Sequence, residues 1–191
     1  MNGLVIRPAS QADAPAMLEI YAWYIRNTAV SLAWEPPVLH DFLRTMEAVQ
    51  ERYPWLVAEK DGEILGYAYA HTFVPRRSYD WSAEVTIYLR PEMRRQGIGR
   101  ALYSALEDVL GKMGVQNLYA CIAFSESEDE YMTHASPDFH ACLGYRQVGM
   151  FRRCARKFGR WYDMIWMEKV IGSHAEQASE VKPFSESMLE G

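Results

Sequence analysis

The sequence predicts one mixed α/β domain built on a sheet of about six or seven strands. Strand patterns, in which apolar and polar residues alternate, recur along the chain together with helical patterns of period 3.6. Some strand patterns follow one another directly, whereas others are separated by a helix, and this mixture is typical of hairpins combined with strand–helix–strand crossovers. The 191 residues, 49% of them hydrophobic, are enough for one sizeable core.

The first elements form a short strand and two helices. A strand is predicted over residues 4–7 and is expected to end at Pro8, because proline cannot donate to a ladder. The helix that follows carries an apolar face of Met17, Leu18, Tyr21, Tyr24 and Ile25. Residues 30–34 are predicted to form an extended segment, and residues 39–49 are predicted to form a second helix.

A hairpin follows, with strands over residues 55–59 and 64–71. Lys60-Asp61-Gly62-Glu63 joins them, and an Asp-Gly pair is a strong hairpin signal. The elements predicted after the central segment are a strand over 117–124, a short helix over 137–143, and two strands over 146–154 and 161–169, with a turn over residues 157–160 between them. The strand over 117–124 is apolar enough to predict burial on both of its faces.

The central segment changes its period from two to 3.6. Apolar and polar residues alternate from Glu84 to Arg90, and Pro91 ends this strand. From Ile98 apolar residues recur every three or four positions, which predicts an amphipathic helix that closes near Gly111 and Gly114.

Between this strand and helix lies the loop Arg94-Arg95-Gln96-Gly97-Ile98-Gly99. Glycines keep side chains away from the backbone N–H groups at a helix N-terminus, where such groups bind phosphate. Arg94, Arg95 and Arg100 add positive charge, so a pyrophosphate is favoured over a single carboxylate. The loop has neither the lysine of a P-loop nor the third glycine of a dinucleotide fingerprint.

The spacing Arg-x-x-Gly-x-Gly after a strand resembles the acetyl-CoA motif of the GNAT superfamily of N-acetyltransferases. Four further motifs resemble the branch that contains the phosphinothricin and methionine sulfoximine acetyltransferases. They are Arg77-Ser78-Tyr79-Asp80-Trp81-Ser82-Ala83-Glu84, Ile87-Tyr88-Leu89, Phe139-His140-Ala141-Cys142-Leu143-Gly144-Tyr145 and Lys157-Phe158-Gly159-Arg160-Trp161-Tyr162-Asp163. The resemblance covers about residues 3–169.

This resemblance implies a GNAT fold, with a mostly antiparallel sheet flanked by about four helices. It also implies acetyl-CoA as co-substrate and no metal. The residues implied to bind acetyl-CoA are Ile87, Tyr88, Leu89, Arg94, Arg95, Gln96, Gly97, Ile98, Gly99, Arg100, Thr133 and Ser136. Thr133 stands where many members of the superfamily have a CoA-binding asparagine.

Two residues are candidates for the proton transfers that amine acetylation requires. Glu84 occupies the position of the family's catalytic glutamate and is predicted to act as a general base through a water molecule. An amine of pKa roughly 8 to 10 is mostly protonated at pH 7, and a general base, worth about 10² to 10⁴ in rate, offsets that deficit. His140 stands where many members have a proton-donating tyrosine. A packing role for this histidine is the alternative.

The resemblance places the acceptor near two segments. Arg76, Arg77, Ser78 and Tyr79 precede the predicted base, and an arginine there can grip a carboxylate, phosphinate or sulfone oxygen. Trp34 and Glu35 are candidates for the pocket wall. For the two arginines, the alternative is an exposed position in a loop without a role in binding. For Trp34, the alternative is burial in the core.

The expected reaction is acetylation of the primary amine of a small amino acid or analogue, of the phosphinothricin, methionine sulfoximine and methionine sulfone class. A polyamine, an antibiotic or a protein N-terminus is the alternative acceptor. A third possibility is an acyl-CoA-binding module without catalysis, against which Glu84 beside an intact glycine loop argues. The resemblance also implies a homodimer.

Composition restricts the other classes of function. A net charge of −5 and a pI of about 5.6 disfavour nucleic-acid binding. No stretch approaches the 18 apolar residues of a membrane helix, so no membrane association is expected. Three cysteines, an odd number without metal-ligand spacing, favour a reducing compartment, and the cytoplasm is predicted. Cys121 and Cys142 lie in apolar runs and are predicted to be core residues.

Two segments are predicted to lie outside the packed core. The acidic run over residues 125–130 lacks the spacing and glycine of an EF-hand, which favours a solvated loop. Residues 172–191 hold few apolar side chains, so a mobile tail, or at most a docking tail, is expected after a single domain over residues 1–171.

Overall fold

The computed structural model describes residues 3–189 and contains one seven-stranded sheet in the order β1-β2-β3-β4-β5-β7-β6. The strands are β1 Val5–Pro8, β2 Trp55–Lys60, β3 Glu63–Thr72, β4 Ser82–Leu89, β5 Asn117–Phe124, β6 Arg146–Lys157 and β7 Arg160–Val170. The α-helices are α1 Ala14–Asn27, α2 Leu39–Gln50, α3 Ile98–Met113 and α4 Ala135–Cys142. Neighbouring strands are antiparallel except β4 and β5. The predicted fold class is confirmed.

The two faces of the sheet are covered unequally. Helix α3 packs the main core on one face, with Leu102, Leu106 and Leu110 fully buried against the strands. On the other face α1 and α2 bury a second cluster around Trp55 and Tyr67 of β2 and β3. Toward β5 and β7 this second face lacks a covering helix among residues 3–189, so part of the sheet surface stays accessible.

Both tight turns of the sheet contain two successive residues with positive φ, the second of which is a glycine. Asp61 and Gly62 have φ values of 52° and 81°, and Phe158 and Gly159 have 50° and 77°. Positive φ at both central residues is typical of the turn that matches the twist of a hairpin. Both predicted turns, between β2 and β3 and between β6 and β7, are therefore confirmed.

Strand β1 ends at Pro8, as predicted, and an edge strand tolerates proline as its last residue. Other predicted details are wrong. Residues 30–34 form bends and irregular chain instead of an extended segment. Strand β5 is not buried on both faces: its buried residues alternate with accessible ones, because a helix covers only one face there. Cys121 is exposed on the uncovered face of β5 and Cys142 is exposed at the end of α4, so neither is a core residue.

The C-terminal segment lies against the domain, which agrees with the predicted alternative of a docking tail and not with a mobile one. Val181, Phe184 and Met188 pack on the main core. The backbone N–H of Lys182 donates to Met113, and that of Phe184 donates to Arg52, each at 2.9 Å. Low apolar content therefore did not prevent docking, because a few well-spaced apolar side chains and backbone hydrogen bonds are enough to order a short segment. Residues 190 and 191 of the predicted tail lie outside the described residues.

Candidate active site

Strands β4 and β5 separate in the middle of the sheet. Their parallel pairing covers only Ser82–Glu84 of β4, opposite Asn117–Tyr119 of β5. Beyond this point β4 continues to Leu89 and pairs only with β3. In a strand, alternate N–H groups point to opposite edges, so residues 85–89 present backbone groups toward a gap. Ile87, Tyr88 and Leu89, the predicted acetyl-CoA contacts, lie on this open stretch.

The glycine loop ends at the gap and starts α3. Gly97 is the N-cap of α3 with φ of 81°, in the left-handed region that glycine adopts without strain. The first helical hydrogen bond runs from the N–H of Ala101 to the carbonyl of Gly97 at 3.0 Å. The N–H groups of Ile98, Gly99 and Arg100 precede it and have no partner within the helix. They form the donor set that an anion at a helix N-terminus requires.

Close packing explains the second glycine. A Cβ on Gly99 would lie 3.1 Å from the ring of Phe139 in α4 and 3.4 Å from a methyl of Leu89. Glycine therefore lets α3 approach the end of β4 and α4 together. The side chain of Ile98 is buried, so only its backbone faces the loop's concave side.

The arginines of the loop do not all point the same way. Arg95 and Arg100 are exposed and extend from the loop and the first turn of α3. Arg94 turns toward α1 instead: its guanidinium lies 5.8 Å from the ring of Trp23 and 5.3 Å from that of Tyr24. The Gln96 side chain donates to the carbonyl of Glu92 at 3.0 Å. Arg95 and Arg100 are thus the better placed of the predicted phosphate ligands.

Glu84 lies where β4 and β5 part, with 19% of its side chain exposed. Burial raises the pKa of its carboxyl, and the nearby His71 opposes that rise. His71 is its cross-strand partner on β3, with Nε2 3.8 Å from the carboxylate. Sequence analysis missed this histidine. The only available signal was hairpin register, which the sequence does not fix between β3 and β4 because a long connection separates them.

The open sheet surface around Glu84 is aromatic and sulfur-rich. Phe73 stacks on Tyr119 with ring centroids 4.2 Å apart and lies 5.6 Å from Trp166. Cys121 and Met164 bring their sulfur atoms to 3.0 Å. Partial burial and the Glu84 carboxylate raise the pKa of Cys121 to about 11, so this cysteine stays a thiol at neutral pH. The surface can contact an acceptor without competing as a nucleophile.

His140 is enclosed between α3 and α4, with 3% exposure. Its Nε2 pairs with the hydroxyl of Tyr103 at 2.9 Å, and its Nδ1 with the carbonyl of Ser136 at 2.8 Å. Burial lowers the pKa of this imidazole. Both nitrogens are therefore engaged inside the protein, which favours the packing alternative. Thr133 is exposed just before α4, and Ser136 lies in its first turn.

The predicted acceptor residues are exposed. Arg77–Tyr79 form a short 3-10 turn that follows Arg76, and Arg77 pairs with Glu180 of the C-terminal segment at 3.2 Å. Trp34 is 72% exposed, so the interpretation as a core residue is wrong. Glu35 is also exposed on the same connection between α1 and α2.

Lys157 holds the start of the connection between α1 and α2 in place. No local sequence pattern indicated this role. The residue is 3% exposed, and its ammonium donates to the carbonyls of Ile25 at 2.7 Å, Thr28 at 2.9 Å and Ser31 at 2.6 Å. Three acceptors satisfy all three donors of a lysine, which makes burial of the charge possible. Because α1 ends at Asn27, the lysine ties the β6–β7 turn to the chain that leads to Trp34.

The acidic run is a largely exposed loop, as predicted, and surface salt bridges tie it to β6 and β7. Asp129 and Glu130 pair with Arg160 at 2.9 and 2.7 Å, and Glu126 pairs with Arg152 at 2.6 Å. Within residues 3–189 no cluster of three or more histidine, cysteine or acidic side chains is arranged to hold a metal ion. Nor does any helix in that range have the length and apolarity needed to cross a bilayer.

The chain is similar to known proteins in both sequence and structure. Residues 6–166 match the family model described as an acetyltransferase (GNAT) domain. The chain is 35% identical over 164 residues to the phosphinothricin N-acetyltransferase of Streptomyces viridochromogenes, covering 86% of each protein. It is 32% identical to the L-methionine sulfoximine/L-methionine sulfone acetyltransferase of Salmonella typhimurium, covering 90% of this chain and 97% of that protein. A crystal structure of a GNAT superfamily phosphinothricin acetyltransferase from Sinorhizobium meliloti in complex with AcCoA superposes with a TM-score of 0.84 at 30% identity, covering 93% of this chain and 94% of that one.

Proposed function

The chain belongs to the GNAT family of acetyltransferases, and we propose that it acetylates the primary amine of a small amino acid or analogue of the phosphinothricin and methionine sulfoximine class. One observation carries this proposal most strongly: the half-buried Glu84, with a raised pKa, lies at the point where β4 leaves β5. The names of the similar proteins support the acceptor class.

Acetyl-CoA supplies the acetyl group as a thioester, which makes it transferable to an amine. In the proposed arrangement the free N–H groups at the start of α3, with Arg95 and Arg100, hold the pyrophosphate. The open edge of β4 over residues 87–89 pairs with amide groups of the pantetheine arm, as an added strand would. N–H groups on that edge can also stabilise negative charge that develops on the acetyl oxygen.

Glu84 is the proposed base. Its carboxylate takes a proton from the acceptor ammonium, through a water molecule, and thereby frees the lone pair that attacks the acetyl carbon. Because burial raises its pKa, the carboxylate is a stronger base than an exposed glutamate. Its position beside the gap brings base and thioester together.

The donor of a proton to the departing thiolate is a separate question. Both nitrogens of His140 have partners inside the protein. We therefore propose that His140 packs α4 on α3 and does not protonate the thiolate.

We also propose that the protein is a cytoplasmic homodimer. Val148, Phe151 and Trp161 are exposed by 49%, 54% and 58% at the β6–β7 end of the sheet. Edge strands with exposed apolar side chains are open to pairing with another chain. The three free cysteines fit a reducing compartment. Sedimentation velocity at several protein concentrations tests the dimer.

The deciding experiment is acetyl-CoA turnover, followed by release of free thiol, across a panel of amines. The panel contains phosphinothricin, methionine sulfoximine, methionine sulfone, spermidine, an aminoglycoside and a peptide with a free N-terminus. The proposal predicts the largest kcat/KM for one of the amino-acid analogues. A larger value for any of the other three classes would contradict the acceptor class, and tight acetyl-CoA binding without turnover would indicate a binding module.

A further inference from the structure

A cavity of about 430 Å³ lies beside His71, at the C-terminal end of β3 and below the last turns of α2. Its size falls within the range of small-molecule sites, roughly 300 to 1,000 Å³. Polar side chains around it include Arg44, Thr45, Arg52, His71 and Thr72. Two guanidinium groups in one cavity favour an anionic or oxygen-rich ligand.

Arg52 is the better placed of the two arginines. It is 35% exposed, and one guanidinium nitrogen contacts Asp80 at 3.2 Å while the group lies over the Tyr53 ring at 5.4 Å. A guanidinium carries five N–H donors, so one such contact leaves donors for a ligand. Arg44 is 72% exposed and pairs with Asp41 of its own helix, which places it at the outer rim.

His71 links this cavity to the proposed base. The same imidazole that lines the cavity has its Nε2 3.8 Å from the Glu84 carboxylate. Because His71 borders both the cavity and Glu84, a ligand whose amine lies at Glu84 can direct its side chain past His71 toward the cavity.

We propose that the cavity binds the oxygen-bearing end of the acceptor's side chain, with Arg52 as its main hydrogen-bond donor and Arg44 as a second, outer charge. The inference rests on the proposed function. Phosphinothricin ends in a phosphinate and methionine sulfone in a sulfone, and each presents two oxygens beyond Cβ and Cγ. An arginine fork matches such paired oxygens, so the cavity selects amino acids with an oxidised or anionic side-chain end.

Steady-state kinetics with matched acceptors tests this assignment. Phosphinothricin and methionine sulfone are compared with methionine and norleucine, which have similar length but lack the paired oxygens. Wild type should favour the oxygen-bearing acceptors in kcat/KM by at least tenfold. Arg52→Met should raise KM for phosphinothricin by roughly ten to a hundredfold, the effect of losing a charge-assisted hydrogen bond, with kcat nearly unchanged. Its kcat/KM for methionine should stay within about threefold of wild type.

Arg26→Met is the control, because Arg26 is exposed on the last turn of α1 and does not line the cavity. Arg44→Met, at an exposed rim position, should raise KM for phosphinothricin a few-fold and more at low ionic strength. If Arg52→Met does not fold, Arg44→Met and the comparison of acceptors in wild type still test whether the cavity binds the oxygen-bearing end of the acceptor. An active wild type without preference for oxygen-bearing acceptors overturns the inference, as does an unchanged preference in folded Arg52→Met.

Failure of the proposed function has a different signature. A wild type that acetylates no amino acid contradicts the proposed function itself. Calorimetric titration of phosphinothricin into wild type and Arg52→Met then tests the cavity alone: binding that weakens at least tenfold in the variant supports the cavity, and absence of binding to both proteins overturns it.

Discussion

Glu84 and His71 face each other across β3 and β4, and burial raises the pKa of the carboxyl. Glu84→Gln keeps the size of the side chain but removes its basic site. Turnover at neutral pH should fall by about 10² to 10⁴, with little change in acetyl-CoA affinity. Raising the pH should partly restore turnover, because more of the acceptor amine is then neutral. A pH–rate profile of both proteins on one acceptor provides the measurement, and parallel profiles of similar height would exclude Glu84 as the base.

Glu84→Gln should also change the stability of the protein. The sign of the change follows from the difference between the pKa of Glu84 in the folded state and in the unfolded state. Because the folded-state pKa of Glu84 is higher than the unfolded one, the carboxylate costs folding free energy once the pH rises above the unfolded value. This cost is fully present above the folded pKa and absent at low pH, where both states are protonated. Glu84→Gln should therefore melt above wild type at pH 7 and together with it near pH 4, as thermal unfolding at both pH values can show.

A substitution of His140 can distinguish a packing role of this residue from a role as the proton donor. His140→Phe removes the buried bonds to Tyr103 and Ser136, so the free energy of unfolding should fall by about 1 to 3 kcal/mol. The kcat of the folded variant should stay close to wild type if the residue only packs α4. Denaturant unfolding and steady-state kinetics on the same preparation separate the roles. A large drop in kcat with unchanged stability would make His140 the proton donor after all.

At the scale of elements, the geometry of the site depends on where α3 starts. Gly97 has φ of 81° and precedes the three free N–H groups. Gly97→Ala strains that conformation and displaces these donors, so acetyl-CoA affinity should fall at least tenfold, or about 1.4 kcal/mol. Isothermal titration calorimetry with acetyl-CoA gives the affinity directly.

The matched control is Gly114→Ala, at the other end of the same helix. Gly114 has φ of 100°, and an added Cβ meets its neighbours only at ordinary distances of 3.7 Å or more. The substitution imposes a similar backbone strain far from the loop. Its acetyl-CoA affinity should equal that of wild type, and an equal loss in both variants would show that strain anywhere in α3 is enough to impair binding.

For the whole molecule, the C-terminal segment links the core to the acceptor side of the site. The indole N–H of Trp81 donates to the carbonyl of Ser179 at 2.8 Å, and Glu180 pairs with Arg77 in the turn before β4. The segment lies beyond residues 6–166, which match the family model. These contacts make the segment a brace between the core and the turn before β4.

Removal of residues 173–191 should lower the melting temperature by roughly 3 to 10 °C, because partly buried apolar side chains such as Phe184 leave the core. KM for the amine should rise, since the turn over residues 77–79 loses its support, while acetyl-CoA affinity should not change. Trp81→Phe separates the two effects by removing one hydrogen bond only. A truncated protein with wild-type KM and melting temperature would contradict the bracing role.

Local patterns were sufficient for most of the helices, strands and turns. The alternation in β4, the start of α3 at Ile98 and the Asp-Gly turn each depend on neighbours within a few residues, and all three agree with the structure. The predictions were wrong for residues whose exposure depends on whether another element covers them. Cys121 lies in an apolar run, yet no helix within residues 3–189 covers its face of β5, and Trp34 is exposed although tryptophan is commonly buried.

By itself the sequence determined the order of elements, the glycine loop and the position of Glu84, because side-chain periodicity and glycine conformation act over one or two turns of chain. Only the tertiary structure decided which distant groups meet. The pairing of His71 with Glu84 depends on strand register, and the burial of Lys157 depends on carbonyls more than a hundred residues away. The enclosure of His140 likewise depends on how α4 packs on α3, and such contacts follow from packing of the whole chain, which no local pattern encodes.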